Sequence, residues 1–447
     1  MKWFLYNVLF GIAYAVMMPS FLLRMKRRGG YRARMGDRFG RYPAEILAAL
    51  CPGTQATDRR PPIWIHAVSV GEVAVAGQLM SALRAKDPSI RFVFSTTSST
   101  GWKQAEGQVG PGDTLIYNPL DFGGCVRRAL DAVRPRAIIL TESEIWPNFI
   151  RAARKRGIPL FLVNARVSDR SAPRYRKLRW FFGEVLRCFT KIFAQSDLDA
   201  ERLAGAGADP ATVEVTGSFK FDVAKRNPPK EAELREWAGG GDILLGGSTW
   251  PGEDEALLRI YGELLKTRPD VKLVIAPRHF EKADAVEANI RKAGFGCVRR
   301  SRGETTPNSE LTTPNSQLPT PNSRLVYLCD TTGEMMGLFG ISAVAFVGKS
   351  LCEHGSQNMI EPCLCGVPTL VGPYTENFRP VMSDLLAADA IIQVPDEASL
   401  AKEILRLFGD ADAREWLGAR AKAAVERRRG VVDRCADELL RRLATGN

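Results

Sequence analysis

Two carboxylate-bearing turns stand out in the first half of the chain. In "IWIHAVSVGEV" an apolar strand runs into a small-residue turn, and Glu72 follows Gly71 at the start of a helix. Strand–turn–helix junctions bind anions on exposed backbone N–H groups, yet this one carries its own negative charge. A carboxylate there either complements the positive end of the helix or serves as a general base at the sheet edge where α/β proteins hold ligands. As a base it would be kept ionised by the helix N-terminus. In "IILTESEIWPNF" a strongly apolar run ends in Glu142 and Glu144. If the strand continues through them, the two side chains share one side; if the turn begins between them, they diverge. As solvated loop carboxylates they would do no chemistry.

The second half offers parts for a nucleotide. "LLGGSTWPGEDE" has a small-residue turn at Gly246, Gly247 and Ser248, and "VIAPRHFEK" puts Pro277, Arg278 and His279 at a strand end. "CDTTGEMMGLFG" opens a helix at Thr332, Gly333 and Glu334, and "VGKSLCEHGSQNMIEP" supplies Gly348, Lys349, Asn358 and Glu361. Backbone amides and Arg suit a phosphate, and a carboxylate suits ribose hydroxyls. No GxGxxG follows the first strand of either half and no GxxxxGK[ST] occurs, which excludes the dinucleotide and P-loop readings.

Apolar runs alternating with helical patterns position these residues. "IWIHAV", "IRFVFSTT", "AIILTES", "PLFLVNA", "KIFAQS" and "TVEVTGS" form one series, and "DILLGGST", "VKLVIAP", "GCVRR", "RLVYLCD", "AVAFVGKS", "PTLVGP" and "AIIQV" a second. Strands alternating with helices imply parallel sheets, and two similar series imply twin Rossmann-like domains facing a cleft. The expected division is an anchor with its basic flank over 1–28, a first domain over 29–228 and a second over 229–447. The stretch from Ala411 to Ala444 reads as helical throughout. Within 301–325, Thr-Pro-Asn-Ser recurs at Thr306, Thr313 and Thr320. Proline in every unit excludes a coiled coil, so this is a low-complexity loop insert.

The net charge of +12 is concentrated at the N-terminus, where nine basic residues stand against Asp37 alone between Met1 and Tyr42. The uncharged run Trp3–Leu23 has the length of a membrane-crossing helix, and "RMKRRGGYRAR" follows it. A cleaved signal peptide would carry its charge on the other side. The basic flank argues for a single N-terminal anchor with the remainder cytoplasmic, although Asn7, Gly11 and Pro19 also suit a helix lying in the interface. A nucleic-acid binder would spread its charge over a folded face. Nine scattered Cys and only three His give no metal framework and suggest a reducing compartment.

The chain resembles the Kdo transferases, enzymes of lipopolysaccharide core biosynthesis that place 3-deoxy-D-manno-octulosonic acid (Kdo) on lipid A precursor. The stretches that carry the resemblance are "YRARMGDRFGRY", "HAVSVGEV", "TESEIWPNFI", "VNARVSDRSAPRYRKL", "VTGSFKFD", "APRHFE", "GEMMGLFGISAVAFVGKS" and "NMIEPCLCGVPTLVGPYTENF", in this order. The resemblance implies an α/β GT-B glycosyltransferase of the inner membrane, inverting and independent of metal or cofactor. CMP-Kdo would sit mainly on the C-terminal domain and the acceptor, a lipid A precursor such as lipid IVA, on the N-terminal one. By similarity Glu72 is the general base, and Glu142 and Lys220 match positions of transition-state stabilisation. Pro277, Arg278, Thr332, Gly333, Glu334 and the run Asn358, Met359, Ile360 and Glu361 match CMP-binding positions. Three residues depart from the family pattern. Lys349 and Gln357 replace a Gly and a His, and Trp250 stands where the pattern has His; Lys349 there offers a contact to phosphate.

Two other readings compete. A different GT-B protein, such as a UDP-sugar transferase or 2-epimerase, would not share the N-terminal motifs. A tethered binding protein without catalysis would lack Glu72 or Arg278, and both are present.

Overall fold

The structure, a computed structural model, describes residues 1–28, 32–50, 60–223, 228–303 and 324–445. The three Thr-Pro-Asn-Ser units lie outside the described residues. The chain forms two compact units, one of Met1–Val223 with Gly430–Asn447 and one of Ala224–Arg429.

In the first unit short runs rich in Ile, Val, Leu and Phe form seven strands. They are β1 (Ile63–His66), β2 (Phe92–Thr96), β3 (Thr114–Tyr117), β4 (Ala137–Thr141), β5 (Leu160–Ala165), β6 (Lys191–Ala194) and β7 (Val213–Val215). All pairs are parallel, in the order β3-β2-β1-β4-β5-β6-β7. Helices cover both faces, so β1, β2, β4 and β5 are buried along their whole length. Ligands bind α/β sheets where the strand order reverses. Here that point lies between β1 and β4, whose Ile63 and Ala137 are in register. The helices that matter are α1 (Lys2–Arg28), α2 (Val70–Lys86) after β1, α3 (Pro147–Lys155) after β4, and α4 (Arg179–Leu186).

The second unit repeats the plan. Its strands are β8 (Ile243–Thr249), β9 (Lys272–Pro277), β10 (Gly296–Arg299), β11 (Leu325–Leu328), β12 (Val344–Val347), β13 (Thr369–Val371) and β14 (Ile392–Gln393). They are ordered β10-β11-β9-β8-β12-β13-β14, reversing between β8 and β12. Helix α5 (Glu253–Leu264) follows β8. Two Rossmann-like parallel sheets are therefore present, as the alternating pattern required.

The C-terminal stretch departs from the sequence expectation. It is not one helix: Ala411–Arg427 ends before Gly430, whose φ of +76° breaks the run. Helix α6 (Val431–Thr445) then belongs to the first unit rather than to a second domain running to 447. Its Val432, Cys435, Ala436 and Leu439 enter the core beneath α2. Asp222 caps it, accepting from the N–H groups of Gly430 (2.7 Å) and Val432 (2.8 Å).

Candidate active site

Glu72 occupies the third position of α2. Ser69 is the N-cap, its hydroxyl accepting the Glu72 N–H at 3.2 Å and donating to Glu72 Oε1 at 3.0 Å. Glu72 Oε2 accepts from the Val68 N–H at 2.9 Å and meets Thr141 Oγ1 of β4 at 3.5 Å. This is a capping arrangement encoded by Ser-x-x-Glu in "SVGE", so the helix-complement reading describes this geometry. Burial, more than the helix end, governs the charge of this group. Burial pushes the Glu72 pKa up, the Val68 N–H opposes it, and the charges of Glu144 and Glu142 raise it further, for a net upward shift. Desolvation beside two other carboxylates outweighs the helix end. The resulting carboxylate is half-buried and more basic than an ordinary Glu. Gly71 is exposed, and a Cβ there would meet only the Ser69 hydroxyl, at 4.0 Å.

Glu142 and Glu144 diverge because the turn starts at Glu142, whose φ is +50°. The buried Glu142 points toward β5, where Arg166 Nε lies 2.8 Å from Oε2 and Asn164 donates to Oε1 at 3.3 Å. Lys220 lies in the same electrostatic environment. Burial lowers its ammonium pKa, Glu142 raises it and Arg166 lowers it again, with a net downward shift. Glu144 instead faces the end of β1, taking the Trp146 indole N–H at 2.9 Å and lying 3.6 Å from His66 Nε2.

The sequence reading did not single out His66, Asn164 or Arg166. His66 is fully buried at the tip of β1 and its Nδ1 meets Ser95. Asn164 sits at an irregularity of β5 with φ +53°. Its Oδ1 accepts the Phe219 N–H at 3.0 Å, tying the segment that carries Lys220 to Glu142. The available signal was a polar Asn inside an otherwise apolar strand in "PLFLVNAR".

In the second unit a carboxylate organises the turns. Glu253, fully buried, accepts four backbone N–H groups: Trp250 (2.8 Å), Lys349 (2.8 Å), Ser350 (2.9 Å) and Leu351 (3.0 Å). The amides of the "GKS" turn are thus committed to Glu253 rather than open to a phosphate. Gly348 is required by close approach, since a Cβ would lie 2.4 Å from the Ser248 carbonyl oxygen. Lys349 has φ +56°, and its Nζ lies 4.8 Å from the centre of the Trp250 ring. Two of the three departures from the family pattern therefore touch each other.

The remaining candidates divide by what they already hold. Arg278 is exposed at the end of β9, where Pro277 is half-buried. Glu334 is engaged by Lys230 (2.6 Å) and Arg300 (3.1 Å). Burial pushes its pKa up, but hydrogen bonds from Arg300, Lys230 and Thr331 outweigh that and hold it at about 2. Thr332 and Gly333 beside it are exposed. Asn358 spans its own turn, accepting the Ile360 N–H at 3.1 Å and donating to Glu361 at 3.0 Å. Burial raises the Glu361 pKa, and no cation touches it among the described residues. Met359 and Ile360 are fully buried, so only their backbone is available to a ligand.

Comparison with known proteins places this geometry. Residues 33–223 match the family described as 3-deoxy-D-manno-octulosonic-acid transferase (kdotransferase). A 3-deoxy-D-manno-octulosonic acid transferase of Bordetella pertussis is 34% identical, over 93% of this chain and 94% of its own. Another, of Haemophilus influenzae, is 32% identical, over 92% and 91%. Among solved structures, a glycosyltransferase from Rickettsia africae superposes with a TM-score of 0.58 at 12% identity, covering 87% of this chain and 100% of that one. A UDP-GlcNAc 2-epimerase from Neisseria meningitidis gives 0.52 at 13% identity, covering 86% and 100%. At such identities these two establish a shared GT-B architecture and nothing more. With two seven-stranded Rossmann-like sheets and relatives matching along nearly its full length, this chain belongs to the 3-deoxy-D-manno-octulosonic acid transferase family of glycosyltransferases.

Proposed function

We propose that this chain, a Kdo transferase by family, takes Kdo from CMP-Kdo and delivers it to a hydroxyl of a lipid A precursor, with Glu72 as the general base. The observation that carries this reading is the place of Glu72, half-buried at the start of α2 where the strand order reverses, with Thr141 Oγ1 of β4 3.5 Å from its Oε2. A carboxylate raised by burial and by Glu144 and Glu142 is better matched to a sugar hydroxyl than an ordinary one.

The acceptor oxygen attacks the anomeric carbon of Kdo as the bond from that carbon to the CMP phosphate oxygen breaks. The hydroxyl proton passes to Glu72, and CMP leaves with the bonding electron pair. One displacement inverts the anomeric centre. Positive charge develops at the anomeric carbon and negative charge at the phosphate. Glu142, oriented by Arg166 and Asn164, supports the first in this scheme, and Lys220 contributes alongside it. Arg278, exposed and cationic, suits the leaving phosphate. Glu361 suits the ribose hydroxyls because no cation among the described residues occupies it, with Asn358 fixing its orientation. Glu334 acts indirectly in this scheme, holding the turn at Thr332 and Gly333 through its two cations. A lipid acceptor accords with the apolar N-terminal helix, which is long and apolar enough to cross a membrane, and we place the enzyme on the cytoplasmic face of the inner membrane.

The test uses detergent-solubilised full-length protein, lipid A precursor and CMP-Kdo generated in situ. A gain of one or more Kdo masses on the lipid is expected by mass spectrometry. An unchanged lipid mass with and without divalent metal would overturn the assignment.

A further inference from the structure

The N-terminal helix raises a question of topology that length and composition leave open. One stripe of α1 is docked on the first unit. Trp3 donates its indole N–H to Glu184 at 2.7 Å, Lys2 pairs with the same carboxylate, and the Arg151 guanidinium lies 4.3 Å from the Trp3 ring centre. Tyr6 donates to Asp121 at 2.7 Å, and Asn7 accepts from Asn148 at 2.7 Å. Phe10 and Tyr14 both close on Phe122, with ring centres 5.0 and 5.5 Å away. Positions 3, 6, 7, 10 and 14 follow helical spacing, so the contacts form one continuous seam rather than a chance touch. The opposite face carries Phe4 (74% exposed), Leu9, Ile12 and Val16 (73% exposed). Next to the seam Trp180 is also exposed, its ring packed on Phe181, which itself touches Trp3 and Tyr6.

A crossing helix is incompatible with this seam. If Lys2–Ser20 spanned the bilayer, then Glu184, Arg151, Asp121 and Asn148 would be drawn into hydrocarbon with it, and charged groups there lose their hydration at a prohibitive cost. The helix beyond the seam cannot span by itself. Only nine residues separate Tyr14 from Arg24, roughly 14 Å of helix against a core of about 30 Å. We propose that α1 lies in the plane of one leaflet, its polar seam on the domain and its apolar face in the acyl boundary. Both ends of the helix then remain on the side of the catalytic units. The occupant of the outer face is an anionic phospholipid surface. In the sequence Arg24, Lys26, Arg27 and Arg28 follow the apolar run, a charge that suits anionic headgroups. The inference rests on the membrane association proposed above and specifies its geometry.

Full-length protein with an N-terminal epitope is expressed in cells, and protease is applied to spheroplasts and to inverted vesicles. The epitope is expected to survive in spheroplasts and to be lost in inverted vesicles together with the catalytic units. Epitope loss in spheroplasts, with the units intact, means a spanning helix and overturns the proposal. In parallel, Phe4→Glu/Ile12→Glu/Val16→Glu is expected to keep the melting temperature and lower flotation with phosphatidylglycerol vesicles by about tenfold or more. A wild type that does not float at all overturns membrane association itself, an outcome distinct from a spanning result. If the variant changes molar mass in solution while flotation is kept, the face pairs with a second copy and the proposal is wrong.

Discussion

Glu72 must exchange partners to work as a base. Its two oxygens are held by Ser69, by the Val68 N–H and at longer range by Thr141, and an acceptor hydroxyl has to displace or join them. The Ser69 contact is the more replaceable, since that side chain is solvent-exposed. Glu72→Gln keeps the shape and removes the basicity. Transfer should fall by about 10²- to 10⁴-fold, the usual worth of a general base, while CMP binding by equilibrium dialysis stays unchanged. In the wild type the base acts only when deprotonated, so the rate declines as pH falls through the Glu72 pKa. Because burial raises that pKa, the acidic limb of the rate profile should lie above the ordinary Glu range and should vanish in the variant's residual activity. Retained activity in Glu72→Gln would remove it from the mechanism.

At the scale of elements, the turn after β12 and the start of α5 are clamped together by Glu253 and carry strain of their own. Lys349 is a side-chain-bearing residue at φ +56°, a conformation that costs non-glycine residues about 1–2 kcal/mol. Lys349→Gly should therefore raise the melting temperature, by roughly 2–4 °C per kcal/mol recovered, less whatever the Lys349–Trp250 contact supplies. A drop in melting temperature would show that contact to be worth more than the strain. The neighbouring Asp254 gives a pH dependence. Burial, with the flanking Glu255 and Glu253, pushes it up to about 7, so the folded state binds a proton that the unfolded chain has released. This group favours folding below its unfolded value of 3.8, and that contribution is lost as pH rises toward 7. Asp254→Asn should flatten the fall in melting temperature between about pH 4 and pH 7; an unchanged slope would show that Asp254 is ionised throughout. Legibility at this scale followed locality. Every strand but β3 was readable as an apolar run, and β3 was missed because "TLIY" is a short segment set among Gly and Pro. Glu72, Glu142 and Arg278 stood at strand ends and could be read there. The clamp by Glu253 and the bridge by Asn164 could not, because each depends on backbone groups far away in sequence.

At the scale of the whole chain, the two compact units and their parallel sheets followed from alternation, whereas the return of α6 to the first unit did not. Its amphipathic pattern fits any apolar groove, and only tertiary packing chooses the one beneath α2. The charge distribution is sharpened in the same way, because not all nine basic residues between Met1 and Tyr42 are free for lipid. Arg34 pairs with Asp37 at 2.8 Å, and Arg38, buried, donates to the Thr97 carbonyl at 2.6 Å. With those two tied to the domain, the basic residues that directly follow the apolar run are the four of Arg24, Lys26, Arg27 and Arg28. Each basic residue near an anionic surface is worth about 1 kcal/mol, so the four together supply about 4 kcal/mol, roughly a thousandfold in partitioning at low salt. Salt shortens the screening length from about 10 Å at 0.1 M to about 3 Å at 1 M, whereas burial of the Phe4, Leu9 and Ile12 face is insensitive to it. Flotation of the full-length protein with phosphatidylglycerol vesicles should therefore weaken steeply as salt rises and then level off at a plateau set by the apolar face. Replacing the four basic residues by Gln should remove the steep part and leave the plateau, and Ile12→Glu should lower the plateau and leave the slope. A salt response that ran to complete release would mean that charge alone holds the protein on the membrane, and α1 would then have no apolar role there.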